Sequence, residues 1–243
     1  MFFAHAGEYE PCGIFTIQHF ILIVITLIGV VIALKCTVNK KDTRKIIKKC
    51  TIFACVFEII IIAFKITTEG IKNVNNYLPL YYCSLLLYAG LFSSFCEGKL
   101  KRAGDVFLAT GVIVGGIIFI LFPTTSLSTY PMLHLVSIHS FIFHGIMVYL
   151  GLLINLTNYI ELEKKDIIYY FSLVGISCII AYVVNNLFDS NLMFISKNFP
   201  GTIMEFLYNL TGRYFTFVMI LGQSTLPFYV VYGVRNIKEY IIK

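Results

Sequence analysis

The sequence has few charged residues, no tryptophan and no paired cysteine motif. Each of these absences reduces the number of fold classes that the chain can adopt. Only 13% of its 243 residues are charged, while 58% are hydrophobic. A soluble domain of this size would alternate apolar and charged positions along its helices, so the composition excludes one. Because tryptophan is absent, the 16 tyrosines and 22 phenylalanines must form any aromatic belt at a membrane interface.

The seven cysteines and the N-terminus also lack known signatures. No CxxC pair occurs, and no cysteine has a spacing to histidine that suits a metal. An odd number of cysteines inside apolar segments argues against a disulfide framework, so most are expected to be packing residues. The first 13 residues lack Lys and Arg, so no cleavable signal with a basic n-region is expected. The sequence predicts neither a metal site nor a cofactor.

Seven long apolar runs, separated by charged gaps, make up most of the chain. Most runs reach the ~20 residues that a helix needs to cross ~30 Å of hydrocarbon. Their continuity excludes a transmembrane barrel, whose strands alternate in polarity at every second residue. The runs are Ile14–Leu34, Cys50–Thr68, Tyr77–Phe95, Gly104–Phe122, Pro131–Asn155, Ile167–Phe188 and Tyr214–Val234. We therefore expect an all-α polytopic membrane protein in which residues 1–243 form a single domain of seven transmembrane helices.

Basic residues are concentrated in alternate gaps between the runs. The gaps after the first, third, fifth and seventh runs hold 15 of the 19 Lys and Arg residues. The exceptions are Lys65, Lys72, Lys197 and Arg213. Cytosolic loops carry an excess of basic residues, so the N-terminus is expected outside and the C-terminus in the cytosol. The net charge of +6 follows from these loops and requires no nucleic acid, and a multi-pass protein of the cell membrane is expected.

Several polar side chains lie within or at the ends of the apolar runs, where an unpaired polar group is costly. Depth counted from the run boundaries places them in the half of the membrane opposite the basic gaps. The group comprises Tyr82, Cys83, His134, His139, His144, Asn185, Asn186, Asn191 and Arg213. Because costly polar residues in a membrane usually face a cavity or one another, we expect a substrate site in this outer half.

The fifth run holds three of the five histidines, His134, His139 and His144. On a helix, His134 and His144 are ~80° apart and His139 is ~140° from each, so one narrow face cannot present all three. A hydrogen-bonded structural role is the commoner fate of any single histidine. Cys83 on the third run needs a base within ~3 Å to act as a nucleophile, and the fifth run supplies histidines at a compatible depth.

Glu58 is a carboxylate in the middle of the second run. Lys65 is on the same helical face, but two turns separate the residues by ~10 Å, which is too far for direct contact. We expect Glu58 to pair with a polar group of a neighbouring span, and Lys65 to extend its ammonium group to the outer interface.

Three motifs resemble the YwaF-type integral membrane proteins, which are related to the eukaryotic transmembrane-protein-164 group. The motifs are LPLYYC at Leu78–Cys83, FIFHG at Phe141–Gly145, and NLMF…KNFPGT from Asn191 to Thr202. Their order matches that of the family, and the resemblance covers about residues 77–234. Where family members commonly read LPLHLC, this chain has Tyr81 and Tyr82, which removes one polar partner close to the thiol.

The resemblance implies a function, because the eukaryotic group is described as phospholipid acyltransferases that use a cysteine and a histidine. It implies that Cys83 attacks an acyl ester and that His144 is its base. A thioester then transfers the acyl group to a lysophospholipid or to water, near the outer leaflet. The residues expected to line the substrate site are His139, His134, Tyr82, Asn185, Asn186, Asn191 and Arg213. The alternatives are a small-solute transporter or channel that uses the same polar cavity, and a receptor.

Overall fold

The computed structural model describes residues 1–242, and the side chains of residues 72, 73, 203 and 238–242 are outside the description. The basic side chains of Lys72, Lys238 and Lys243 in the predicted charge pattern therefore lie outside the described residues. Within the described range the chain forms nine α-helices and no strand, which confirms the all-α prediction. The helices are α1 (Ile17–Thr37), α2 (Thr43–Glu69), α3 (Leu85–Phe95), α4 (Gly98–Ala109), α5 (Gly111–Leu121), α6 (Leu135–Leu156), α7 (Ile167–Phe188), α8 (Ile203–Thr211) and α9 (Phe215–Ile242).

Six helical segments in the described part of the chain are long and apolar enough to cross a membrane. They are α1, α2, the joined pair α4–α5, α6, α7 with its preceding turn, and the α8–α9 region. Side chains cap the first two helices, since Thr16 accepts from His19 N–H and Asp42 accepts from Lys45 N–H. Helices that are apolar on all sides satisfy their backbone groups internally and can face lipid, so the chain is built as a multi-pass membrane protein.

The third apolar run differs from the prediction of one continuous helix over Tyr77–Phe95. A 3₁₀ segment (Ile71–Tyr77) and an irregular stretch lead into α3, which has only 11 residues. Such a helix rises about 17 Å, which is too short to cross the hydrocarbon core. Pro79 explains the delay, because its ring disfavours a helical conformation at Leu78, whose ψ is 132°. Among the described residues, six helical segments are long enough to cross a membrane, and the predicted count of seven is not confirmed.

This run nevertheless extends along the whole of α2. At the C-terminal end of α2, the Tyr77 hydroxyl donates to Glu69 at 3.1 Å. At the N-terminal end, Arg44 donates to the carbonyl oxygens of Ser93 and Cys96, at 3.2 and 2.9 Å. Residues 77–96 therefore run antiparallel to α2 from one end of that 27-residue helix to the other.

Two interruptions in the long helices are stabilised by side chains. At the break between α4 and α5, Asn155 of α6 donates to the carbonyl of Ala109 at 2.7 Å. In α9, Pro227 has no N–H and leaves the carbonyl of Gln223 free, and the Tyr170 hydroxyl donates to it at 3.2 Å. Backbone groups freed by a kink must find such partners inside a membrane protein.

Helix α6 lies at the centre of the bundle, where it packs against α1, α2, α4 and α5. Glycines permit its close approach to α5. A Cβ on Gly116 would lie 2.7 Å from a methyl of Val148, and one on Gly151 would lie 3.0 Å from a methyl of Val112. The GVIVGG segment, residues 111–116, is thus a packing seam. Its effect is to hold the histidine-bearing helix α6 tightly in the core.

Candidate active site

Glu58 pairs with a polar group of a neighbouring helix, as the sequence predicts, and that group is His139. Oε2 of Glu58 on α2 lies 3.2 Å from Nε2 of His139 on α6, and the two side chains are 15% and 9% exposed. The distance is that of an ion pair, although the N–H is not directed at the oxygen well enough for a hydrogen bond. Phe57 and Phe143 flank the His139 ring at centroid distances of 4.6 and 5.5 Å. The pair is therefore an electrostatic link between two helices in apolar surroundings.

One ring nitrogen of His144 is hydrogen-bonded, and the other has no hydrogen-bond partner among the described residues. Its Nδ1 lies 2.7 Å from the carbonyl oxygen of Ser140, so Nδ1 carries the proton and donates it. Its Nε2 is buried and has no hydrogen-bond partner in the part of the chain that the structure describes. The ring stacks on Phe119 at a centroid distance of 3.6 Å, which fixes its plane. A neutral imidazole held in this way presents a lone pair that can accept a proton.

Cys83 is a half-buried free thiol at the start of α3. It stands two residues before Leu85, the first residue of that helix, because the predicted third helix begins late. The N-terminal end of a helix favours negative charge, and a thiolate is the reactive form of cysteine. The irregular entry to α3 therefore gives Cys83 a setting that a continuous helix would not provide.

These four residues lie in one region of the bundle. Helix α2, which carries Glu58, packs against both α3 and α6. Helix α5 contacts both the segment that carries Cys83 and the turn that carries His144. A Cβ on Gly115 would lie 2.8 Å from the ring of Tyr82, the residue before Cys83. A Cβ on the adjacent Gly116 would lie 3.1 Å from the carbonyl oxygen of His144. The nucleophile segment and the histidine turn therefore meet adjacent residues of α5.

A comparison with known protein families shows to which family the chain is related. A model of the TMEM164 family matches residues 14–230, which include all four of the residues above. The chain belongs to the TMEM164 family. The match confirms the predicted relationship to the transmembrane-protein-164 group and leaves the YwaF-type name untested. No curated protein and no solved structure matches the chain.

In this TMEM164-family chain, His134 differs from His144 because both of its ring nitrogens have backbone partners. Nδ1 of His134 accepts from Val136 N–H at 3.1 Å, and its Nε2 lies 3.1 Å from the carbonyl oxygen of Ala4. His134 caps the N-terminus of α6, which begins four residues later than the predicted run. Tyr130 stacks on its ring, and burial lowers the pKa of His134 below its ordinary value. His134 therefore holds the outer end of α6 in place, and a contact with substrate stays a prediction.

The predicted asparagines mostly shape the connection that follows α7. Asn185 donates to the carbonyl of Leu192 at 3.0 Å and to the hydroxyl of Ser196 at 2.8 Å, and it accepts from Leu192 N–H. Asn191 accepts from two backbone N–H groups of the same loop. Asn186 is exposed and donates to its own helix at Tyr182. Because these groups are already paired, their predicted substrate contacts require a rearrangement of the loop.

Tyr82 and Arg213 also have partners within the protein. The Tyr82 hydroxyl lies 2.6 Å from that of Tyr170, which donates onward to the carbonyl of Gln223. The Tyr82 hydroxyl has one proton, which it donates either to Tyr170 or to the carbonyl of Gly111 at 3.3 Å, so it has none to spare for a substrate. Arg213 is exposed, and its guanidinium contacts the ring and hydroxyl of Tyr214. The predicted contact of Tyr82 with substrate therefore requires this hydrogen-bond chain to open.

A separate pocket of about 360 Å³ lies elsewhere, between the loop before α6 and the turn before α8. Its lining includes Thr124, Ser128, Phe199 and Thr202 and none of the four residues grouped around Cys83. Within the described residues, no group of three or more His, Cys, Asp or Glu side chains is arranged to hold a metal ion. The candidate site is thus separate from this pocket.

The sequence and the family resemblance predicted Cys83 and His144 as site residues, which stays a prediction, and did not assign Glu58 to the site. The sequence did contain a signal for Glu58, since a carboxylate near the middle of an apolar run destabilises the protein unless it has a partner. The missing information was which faces of α2 and α6 meet, and helical periodicity alone does not provide that.

Proposed function

We propose that the protein is a membrane-embedded phospholipid acyltransferase or acyl hydrolase in which Cys83 is the nucleophile and His144 its base. The observation that carries the proposal is the unpartnered, buried Nε2 of His144, whose tautomer is fixed by Ser140. A buried nitrogen without a hydrogen-bond partner lowers the stability of the fold, so its presence favours a functional role such as proton transfer. The family resemblance supplies the substrate class, a membrane phospholipid as donor and a lysophospholipid as acceptor.

The first half-reaction forms a thioester. Nε2 of His144 takes the thiol proton of Cys83, and the sulfur attacks the carbonyl carbon of the phospholipid ester. The new C–S bond forms, the ester C–O bond breaks, and its electron pair goes to the glycerol oxygen. That oxygen takes the proton from His144, so a lysophospholipid leaves and the imidazole returns to its neutral form.

The second half-reaction releases the acyl group. A hydroxyl of a lysophospholipid attacks the thioester carbon, the C–S bond breaks, and the hydroxyl proton ends on the Cys83 sulfur. With water as the attacking group, the same step is hydrolysis. The acceptor that reaches the thioester therefore decides between transferase and hydrolase activity.

We also propose that residues 77–95 cross the membrane as a seventh segment, which places the N-terminus outside and the C-terminus in the cytosol of a cell. The support is the alignment of this run with the whole of α2, together with the alternation of basic gaps. Irregular backbone at membrane depth is tolerated where protein encloses it or where it lines a cavity. A segment that carries a nucleophile fits that condition.

The test uses purified protein in lipid nanodiscs with labelled phospholipid and lysophospholipid. Wild type is expected to transfer or hydrolyse the acyl group, Cys83→Ala to abolish the reaction, and His144→Ala to slow it by about 100-fold or more. Cys36→Ala, at an exposed thiol near the end of α1, is the matched control and is expected to retain activity.

Two results would contradict the proposal. No acyl transfer or hydrolysis by wild type over a broad lipid panel would exclude the enzyme, and activity that survives both substitutions would exclude the assigned residues. A transporter, the alternative function, would instead show solute flux into vesicles that Cys83→Ala leaves intact. The Glu58–His139 pair is the observation that favours this alternative, because carboxylates and histidines form proton relays in transporters.

A further inference from the structure

Helix α8 adds more length to the last apolar segment than a membrane crossing needs. The segment from Met204 to Ile237 has 34 residues, which as one straight helix would extend about 50 Å, against a hydrocarbon core of about 30 Å. Helix α9 alone has 28 residues and rises about 42 Å. The chain breaks between the two helices at Gly212, whose φ of 52° and ψ of −124° suit glycine. Helix α8 is therefore not required for the crossing.

Two opposite sides of α8 are apolar, but only one of them packs against protein. Met204 and Leu207 are three residues apart on the inner side, and both pack against the hydrophobic core of the bundle. Phe206 and Leu210 are four residues apart on the outer side, where they are 65% and 69% exposed. We call Phe206 and Leu210 the outer apolar face. Large apolar side chains that are exposed together on one face indicate a contact outside the chain.

A polar face adjoins the outer apolar face. Glu205 and Asn209 are also four residues apart, and each lies about 100° around the helix from the residue that follows it, Phe206 or Leu210. Asn209 is exposed, and the Glu205 carboxylate accepts from Gly201 N–H at 2.9 Å. One exposed side of α8 thus suits hydrocarbon and the side next to it suits water, which is typical of a helix that lies in a membrane interface.

The chain that follows α8 points to lipid rather than protein as the occupant of the outer apolar face. The Arg213 guanidinium contacts the ring of Tyr214, which is exposed, and Phe217 in the first turn of α9 is 67% exposed. Tyrosine is enriched where a span meets the membrane interface. A face of two side chains is also much smaller than the roughly 800 Å² per partner that a stable protein interface buries. The outer apolar face is therefore continuous with a membrane-facing surface.

We propose that α8 is an interfacial helix whose outer apolar face is buried among the upper parts of the phospholipid acyl chains, while Glu205 and Asn209 face water. Within the last apolar segment, only α9 then crosses the bilayer. This placement does not depend on any chemistry at Cys83.

The depth of α8 also locates the pocket of about 360 Å³ described above. The pocket lining includes Gly201 and Thr202, and Thr202 is the N-cap residue of α8. An interfacial α8 therefore places this pocket level with the phospholipid head groups.

Because the chain has no tryptophan, one substitution creates a single fluorescent probe of depth. Phe206→Trp and Leu210→Trp probe the outer apolar face, and Asn209→Trp is the matched control on the polar face. Ile179→Trp, at a 62% exposed position near the middle of α7, marks the centre of the bilayer. Each variant is reconstituted in phosphatidylcholine vesicles that carry bromine, a quencher, either near the head of the acyl chains or near their methyl ends.

Phe206→Trp and Leu210→Trp are expected to lose most of their emission to bromine near the head of the chains and little to bromine near the methyl ends. Ile179→Trp is expected to show the reverse. Asn209→Trp is expected to lose emission to iodide in the water and little to either brominated lipid. If Phe206→Trp does not fold, Leu210→Trp, one turn away on the same face, answers the same question.

Three results would overturn the proposal. Strongest quenching of the two face probes by methyl-end bromine, as at Ile179, would mean that α8 enters the bilayer core as part of the crossing. Quenching by iodide alone would mean that the outer apolar face meets water. Protection from both bromine and iodide would mean that protein, such as a second copy of the chain, covers this face.

Discussion

Gly104 of α4 packs directly against the backbone carbonyl of Ala89 on α3. A Cβ on Gly104 would overlap the Ala89 oxygen and would lie 2.7 Å from the backbone N of Ser93. Backbone atoms at this contact cannot move without shifting α3, the short helix that follows Cys83. The absence of a side chain at Gly104 thus sets the position of the nucleophile segment.

Gly104→Ala is therefore expected to destabilise the protein by about 1–3 kcal/mol through overpacking. Gly29→Ala is the matched control, because a Cβ at Gly29 in α1 meets no atom within 4 Å and alanine favours a helix. Thermal unfolding in detergent should show a lower midpoint for Gly104→Ala and an equal or higher midpoint for Gly29→Ala. Equal midpoints for Gly104→Ala and wild type would contradict the packing described here.

Asp166→Asn tests the ion pair at the basic end of the bundle. Asp166 is 1% exposed and pairs with Arg102, which also donates to the carbonyl of Glu161. Removing the buried charge leaves the partly buried guanidinium of Arg102 without its carboxylate, so a loss of about 3 kcal/mol is expected. Lys165→Gln, which breaks an exposed pair with Glu163, should change the unfolding midpoint little. Similar midpoints for Asp166→Asn and wild type would mean that the pair adds no net stability.

His134 predicts a specific pH dependence of stability. Because burial lowers its pKa below the ordinary 6.5, the unfolded chain binds a proton on this ring at pH values where the folded protein does not. Stability is therefore expected to fall as the pH drops below about 6.5, until the folded state also takes up the proton. His134→Asn keeps an N-cap acceptor but cannot titrate, so unfolding midpoints between pH 7.5 and 5 should vary less than in wild type. An unchanged pH dependence would contradict this assignment.

The seventh crossing is tested by the sides on which the termini lie. Epitope tags on both termini, probed with protease in sealed vesicles of known orientation, should report an external N-terminus and a cytosolic C-terminus. Termini on the same side would mean an even number of crossings, and residues 77–95 would then enter and leave from one face.

The long helices were predictable from sequence because apolar runs that must satisfy their own backbone can only be helices. The exceptions have local causes. Pro79 prevents the third run from starting as a helix, so Cys83 comes to lie at a helix N-terminus. The fifth helix of the predicted set begins at Leu135, which turns His134 into a cap.

The candidate site was predictable only in part. Depth along the runs brought Cys83 and the histidines to one level, and the family motifs selected His144. The contact between Glu58 and His139 depends on the rotation of α2 and α6 about their axes, which packing determines. The pairing of Asn185 and Tyr82 with their own neighbours likewise depends on loop and kink geometry. Polarity in an apolar run identifies a costly residue but not the partner that satisfies it.

The central claim is that Cys83 carries the acyl group, and intact-protein mass spectrometry tests it most directly. Wild-type protein is mixed briefly with a phospholipid of defined acyl chains and then quenched in acid, which preserves thioesters. The account predicts an added mass equal to one acyl group, released by hydroxylamine and absent from Cys83→Ala. An adduct that persists in Cys83→Ala, or wild-type protein that turns over lipid without an adduct at Cys83, would contradict it.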